Sequence, residues 1–99
     1  MVKTGLFVRL EAAPGKEVEL ERLLTGTLAR VQKEAGTRVW VAMRFGPGSF
    51  GIFNGFSDAT ARNAHLAGDV LERLKTAASL LAEPPRLEEV EVLASKLPR

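Results

Sequence analysis

The 99-residue chain has no cysteine, no tyrosine, one histidine and one tryptophan. Without cysteine there is neither a disulfide framework nor a thiolate metal site. The lone His65 excludes a histidine-cluster metal site, and no Cys–His dyad can be assembled around it. The absence of tyrosine removes the phenolic proton donor, and no serine lies in a nucleophile motif. Long apolar runs are also missing, since none approaches the ~18 residues that a membrane span requires. Lys3, Arg9 and Glu11 interrupt the N-terminal apolar stretch, which therefore does not read as a signal peptide. These absences lead to the expectation of a cytoplasmic protein without metal and without membrane contact.

No charge of one sign dominates. Fourteen basic side chains face twelve acidic ones, a formal net charge of +2. They are scattered, which describes a mixed soluble surface and lacks the basic footprint of a nucleic-acid binder. The length suits one domain over residues 1–99. A monomer of this size buries a modest core, so oligomer formation would add stability.

Hydrophobic periodicity gives the element order βαββαβ. In the first strand, Thr4 to Glu11, Leu6, Val8 and Leu10 alternate with Phe7, Arg9 and Glu11. Pro14-Gly15 breaks it. From Lys16 to Glu34, Leu20, Leu23, Leu24, Leu28 and Val31 recur at helical spacing, and Gly36 is placed to cap the end. The glutamates of this helical segment read as a solvated face. Two strands follow between Thr37 and Phe56, joined by the hairpin loop Gly46-Pro47-Gly48-Ser49. Ser57 or Asp58 can cap a second helix, which carries a late stripe of Val70, Leu71, Leu74, Ala77, Ala78 and Leu81 and stops before Pro84-Pro85. The last strand is placed from about Leu87 to Leu97.

The central strands are apolar on both sides. On the third strand Phe50, Ile52, Asn54 and Phe56 alternate with Gly51, Phe53 and Gly55. On the second, Val39, Val41, Met43 and Phe45 alternate with Trp40, Ala42 and Arg44. A half-exposed strand should be polar on every second residue. The helices cover only one sheet face, so the other is expected to be covered by a second copy of the chain, with Phe7, Trp40, Arg44 and Phe53 at the dimer interface.

Two polar residues stand out in this apolar frame. Asn54, on the face of Phe50 and Phe56, needs a hydrogen-bond partner. His65 is a candidate general base, since its unperturbed pKa lies near 6.5. On one straight helix it would point away from the late apolar stripe. A break at Gly68, with Asp69 as the next cap, would instead give the first half its own inner face, shared by Ala61 and His65.

The chain resembles the antibiotic biosynthesis monooxygenase domain family of the dimeric α/β-barrel superfamily. The resemblance is carried by Phe7-Val8-Arg9-Leu10, Pro14-Gly15-Lys16-Glu17 and Gly36-Thr37-Arg38-Val39-Trp40. It continues through Phe50-Gly51-Ile52-Phe53-Asn54-Gly55-Phe56-Ser57-Asp58, Ala64-His65-Leu66-Ala67-Gly68 and Leu93-Ala94-Ser95-Lys96-Leu97. It implies an α+β, ferredoxin-like protomer with an antiparallel sheet, paired with its twin into a dimeric barrel. It also implies a pocket between sheet and helices, approached by Asn54, Phe50, Phe56 and His65, with Leu6 and Val8 as its floor.

By the same resemblance the activity is a cofactor-free monooxygenation of a small aromatic or quinol, with His65 as base and Asn54 as partner of the anion. Some relatives place Trp, Tyr, Asn and Arg in the pocket; here Tyr is absent and Trp40 is assigned to the other sheet face. The alternative is a non-catalytic dimeric barrel that binds a small hydrophobic ligand. Haem degradation and RNA binding stand behind both. Haem-degrading relatives use a first-strand Asn and a third-strand Trp that this chain lacks, and RNA binding has no basic signature.

Overall fold

The computed structural model describes residues 2–67, Arg73 and residues 75–97. Strand β1 (Thr4–Glu11) leads to helix α1 (Glu17–Val31), the hairpin β2 (Thr37–Gly46) and β3 (Ser49–Phe56), helix α2 (Ala59–Ala67) and strand β4 (Arg86–Glu91). Before β4, Arg73 and residues 75–77 are helical and run into a 3-10 turn, Ala78–Leu80. The sheet is antiparallel in the order β2-β3-β1-β4. This is the α+β, ferredoxin-like arrangement expected from the sequence. Among the described residues no helix is long and apolar enough to cross a membrane.

Alternation on β1 buries Leu6, Val8 and Leu10 on the helix face. The helix α1 lays Leu20, Leu24 and Val31 onto them, and Phe50 and Ile52 of β3 complete the cluster. Leu28, expected in the stripe, is exposed. At ~100° per residue it lies well round from Leu20, whereas Thr27 falls close to the stripe's centre.

The helix also stops earlier than expected, at Val31, with Gln32 as C-cap. Gly36 is not a left-handed cap, because among the described residues positive φ occurs at Gly15 alone. Gly36 serves a close approach instead: a Cβ there would stand 3.3 Å from that of Ala61 in α2.

The pairing of β2 with β3 corrects one expectation. Gly46 pairs with Ser49, yet Arg44 pairs with Phe50, so one extra residue is accommodated at Phe45. From there Ala42 faces Ile52 and Trp40 faces Asn54. Paired residues share a sheet face, and a one-residue shift moves every side chain to the opposite face. Trp40 and Arg44 therefore lie on the helix face, away from Phe53. Trp40 packs on the core cluster. Arg44 forms an ion pair with Glu21 of α1 and lies over the Phe50 ring.

The open face instead carries Phe7 opposite Phe53, with Val39, Val41, Met43 and Phe45. A second shift between Thr37 and Val39 returns Thr37 to the helix face, opposite Phe56.

Asp58 caps α2, its Oδ1 accepting from the Ala61 N–H at 2.8 Å. His65 faces inward and is 7% exposed. The proposed break at Gly68-Asp69 and the stripe residues Val70, Leu71 and Leu74 lie outside the described residues. Ala77 of that stripe is buried. The strand β4 ends at Glu91, short of the expected Leu97, and Leu93 beyond it is exposed.

Leu20 is 0% exposed and Val18 is 61% exposed on the same helix. Leu20→Ala is expected to cost about 2–5 kcal/mol in urea unfolding, and Val18→Ala to stay within about 0.5 kcal/mol. Equal losses would contradict this orientation of α1.

Candidate functional site

The site lies where the C-terminal end of α1, the middle of the sheet and the inner face of α2 converge. A largely apolar void of about 60 Å³ is lined by Val8, Leu10, Leu23, Leu24, Val31, Trp40, Ile52 and Ala77. Its polar lining consists of Thr27, Arg30, Glu34, Asn54, His65 and Arg73. Outside it lies an open cleft of about 550 Å³, formed by Arg30, Lys33, Glu34, Gly36, Thr37, Ala61, Ala64 and His65. Arg30, Glu34 and His65 border both spaces and so form the partition between them.

His65 is held from two sides. Its ring packs against Phe56, the centroids 5.3 Å apart and the planes at 49°. Its Nδ1 lies 2.6 Å from Glu34 Oε1. Thr37 Oγ1 donates to the same carboxylate oxygen at 3.0 Å and stands 3.4 Å from Nδ1. The other ring nitrogen, Nε2, is buried and has no partner among the described residues.

Asn54 is 2% exposed. Its Nδ2 donates to the Leu6 carbonyl at 3.4 Å, and its Oδ1 is buried without a partner among the described residues. Arg73 Nη1 donates to Thr27 Oγ1 at 2.6 Å, and its Nε is likewise buried and unmatched among the described residues. No carboxylate among the described residues pairs with Arg73. Buried polar atoms normally find partners, and each unmet one costs free energy. Asn54, His65 and Arg73 each carry such an atom, and all three residues line one void. The set is chemically mixed: a carbonyl oxygen that accepts, a guanidinium N–H that donates and an imidazole nitrogen that can do either.

The sequence-read residues divide accordingly. Asn54, His65 and Val8 line the void. Phe56 is fully buried and reaches the site through its contact with His65. Leu6 contributes its carbonyl to Asn54, while its side chain is core. Phe50 lies in the core cluster and borders a separate groove beside Arg44, so it is not part of this void.

Sequence reasoning missed Glu34, Thr37, Thr27, Arg73 and Trp40. Glu34 was placed on a solvated face; it turns inward because α1 ends at Val31 and the chain turns there, Glu34 N–H donating to the Val31 carbonyl. Trp40 was assigned to the wrong side by the unrecognised shift at Phe45. Thr27 could have been found from its position in the apolar stripe.

No protein-family model and no curated protein matches the chain. Among solved structures, it is similar to the Nitrosomonas europaea protein NE2512, of unknown function, at 47% identity and a TM-score of 0.95. The match covers 100% of this chain and 97% of that one. The chain belongs to the NE2512 family.

This member of the NE2512 family shares its fold with proteins provisionally named antibiotic biosynthesis monooxygenases. One, from Deinococcus radiodurans, is 18% identical with a TM-score of 0.82, covering 97% of this chain and 98% of its own. Another, from Caulobacter crescentus CB15, is 20% identical with a TM-score of 0.81, covering 94% and 92%. The resemblance read from the sequence therefore holds for the fold.

The Asn54 Oδ1 atom is a burden on folding that an apolar side chain of similar size removes. Asn54→Leu gives up a long hydrogen bond and an unmet acceptor together, so thermal unfolding is expected to be unchanged or raised. A drop of more than about 1 kcal/mol would mean that Oδ1 is satisfied within the folded chain.

Proposed function

We propose that this protein is a cofactor-independent monooxygenase that oxidises a small hydroxylated aromatic with dioxygen, in the space between sheet and helices. The observation that supports this reading is that three residues lining one apolar void, Asn54, His65 and Arg73, each carry a buried polar atom unmatched among the described residues: Oδ1, Nε2 and Nε. A dihydroxylated aromatic answers all three. One hydroxyl gives its proton to His65 Nε2, and the resulting phenolate accepts from Arg73 Nε–H. A second hydroxyl donates to Asn54 Oδ1. Asn54 thus takes a different part from the one expected: its amide N–H is turned to Leu6, so it binds a hydroxyl proton and the anion falls to Arg73.

The chemistry needs a base, a partner for the anion and exclusion of water. Deprotonation makes the ring electron-rich enough to pass one electron to dioxygen. The radical pair joins at the free ring carbon opposite the oxygen, and loss of water from the hydroperoxide leaves a quinone. One oxygen atom stays in the product. The other departs as water with the hydrogens lost from the hydroxyl and the ring carbon, so atoms and electrons balance. At about 60 Å³ the void is smaller than the ~150 Å³ with which an engineered apolar cavity takes up benzene. A ring enters only as the partition toward the cleft, formed by Arg30, Glu34 and His65, yields.

The assembly we propose is a homodimer joined through the open sheet face. Val41 and Phe45 are 46% and 48% exposed there, beside Phe7 and Phe53. Glycine makes this face smooth: a Cβ at Gly51 would stand 2.7 Å from the Phe45 ring, and one at Gly5 2.9 Å from the Phe53 ring. Rings packed over glycines offer an apolar floor suited to another apolar sheet.

With 1,5-dihydroxynaphthalene the protein is expected to consume dioxygen and form the hydroxynaphthoquinone. His65→Ala should lower the rate by about 10²–10⁴-fold and leave the dimer intact. Binding of the naphthol, seen as a raised melting temperature, without oxygen uptake would replace this reading with that of a ligand-binding barrel. Phe53→Asp should shift sedimentation from dimer to monomer. A wild-type monomer at micromolar concentration would remove the dimer.

A further inference from the structure

We infer that Glu34 is the positioning residue of His65: its carboxylate holds the neutral imidazole in the Nδ1–H tautomer, so that Nε2 presents a lone pair to the void. The functional meaning rests on the reading of His65 as the base of that void; the tautomer itself follows from the geometry.

An ionised carboxylate can only accept hydrogen bonds. With Oε1 at 2.6 Å from Nδ1, the proton between them belongs to the ring nitrogen. Thr37 does not compete. Its single hydroxyl proton goes to Glu34 Oε1 at 3.0 Å, and its oxygen is 3.4 Å from Nδ1. It tethers the carboxylate and leaves Nδ1 to Glu34. In a neutral imidazole, a proton on one nitrogen leaves the other as an acceptor. That other nitrogen is Nε2, buried and unmatched among the described residues, on a side chain that lines the void.

The assignment matters because free imidazole side chains in water favour the opposite tautomer. An Nε2–H would aim a donor at the void and could take no proton from a ligand hydroxyl. Glu34 therefore selects which chemistry His65 can perform. Its own side chain is 35% exposed and borders the cleft, while the ring it holds is buried. The contact brings together the turn after α1, the start of β2 and the inner face of α2.

The single histidine makes the test clean, because only two imidazole nitrogens exist in the chain. In ¹⁵N-labelled protein, at a pH where the ring is neutral, long-range ¹H–¹⁵N correlation should show Nδ1 protonated and Nε2 bare. Glu34→Ala should move the population toward Nε2–H. Glu34→Gln should retain Nδ1–H, because the amide oxygen accepts in the same place. Thr37→Val should retain it too, since the Glu34 contact survives.

Nε2–H in the wild type overturns the inference without any variant, so it stays falsifiable if Glu34→Ala fails to fold. An unchanged tautomer in a folded Glu34→Ala protein overturns it as well. No substrate is needed, so the outcome separates from the oxygen-uptake test. Nδ1–H without turnover removes the monooxygenase and keeps the role of Glu34. Turnover with Nε2–H keeps the chemistry and removes that role. Where turnover is present, Glu34→Ala should reduce kcat by more than tenfold with KM changed less than twofold.

Discussion

Two one-residue shifts in the pairing of β2 with β3 decide what the inner face of the sheet presents to the helices. The shift at Phe45 brings Trp40, Ala42 and Arg44 onto that face. The shift between Thr37 and Val39 restores Thr37 to it. Without the first, Val39 and Val41 would stand over the core and Trp40 would face away. Without the second, Thr37 would point away from Glu34 and His65. Bulges of this kind bend an edge strand and re-aim single side chains, and they are common beside functional sites. Here they act on an edge strand, β2, whose neighbour β3 carries Asn54.

The inner face is apolar almost throughout, and its polar exceptions are concentrated. Asn54, His65 and Arg73 each keep one polar atom unmatched among the described residues. Their convergence on one void is a local violation of the rule that buried polar groups are paired, and such violations belong at sites where a ligand completes the pairing. The contrast with Arg44 is instructive. Its guanidinium meets Glu21 and a phenyl ring at an exposed position, which satisfies it within the chain. Arg73 has a threonine hydroxyl and no carboxylate among the described residues. A partly buried cation without a counter-charge is costly to hold unless an anion joins it.

Elements with strong periodicity were legible in the sequence. The alternation of β1, the stripe of α1 apart from Leu28, and a cap at Ser57 or Asp58 all describe local chemistry, and the structure keeps them, with Asp58 as the cap. What escaped depended on pairing between elements. A bulge has no signature in Phe45-Gly46-Pro47-Gly48-Ser49, so the face of Trp40 was read from unbroken alternation and came out reversed. Glu34 was grouped with glutamates that face water, because the helix was extended past Val31 to the glycine that seemed a cap. Gly36 is instead small for the sake of Ala61. The inward turn of His65 was one of two stated outcomes, and the structure selects the one in which it shares a face with the sheet.

The two faces of the sheet are not independent. On β3, Phe53 and Gly55 point to the open side while Asn54, between them, points to the void. On β2, Val39 and Val41 point outward while Trp40 lines the void. A second sheet pressed on the outer residues would fix the same backbone segments from which Asn54 and Trp40 project. It would do so at an edge strand that the helices only partly restrain. In the proposed dimer, covering the phenylalanines therefore does more than hide apolar area. It holds the void's wall to one register, which is what a site relying on single oriented polar atoms requires.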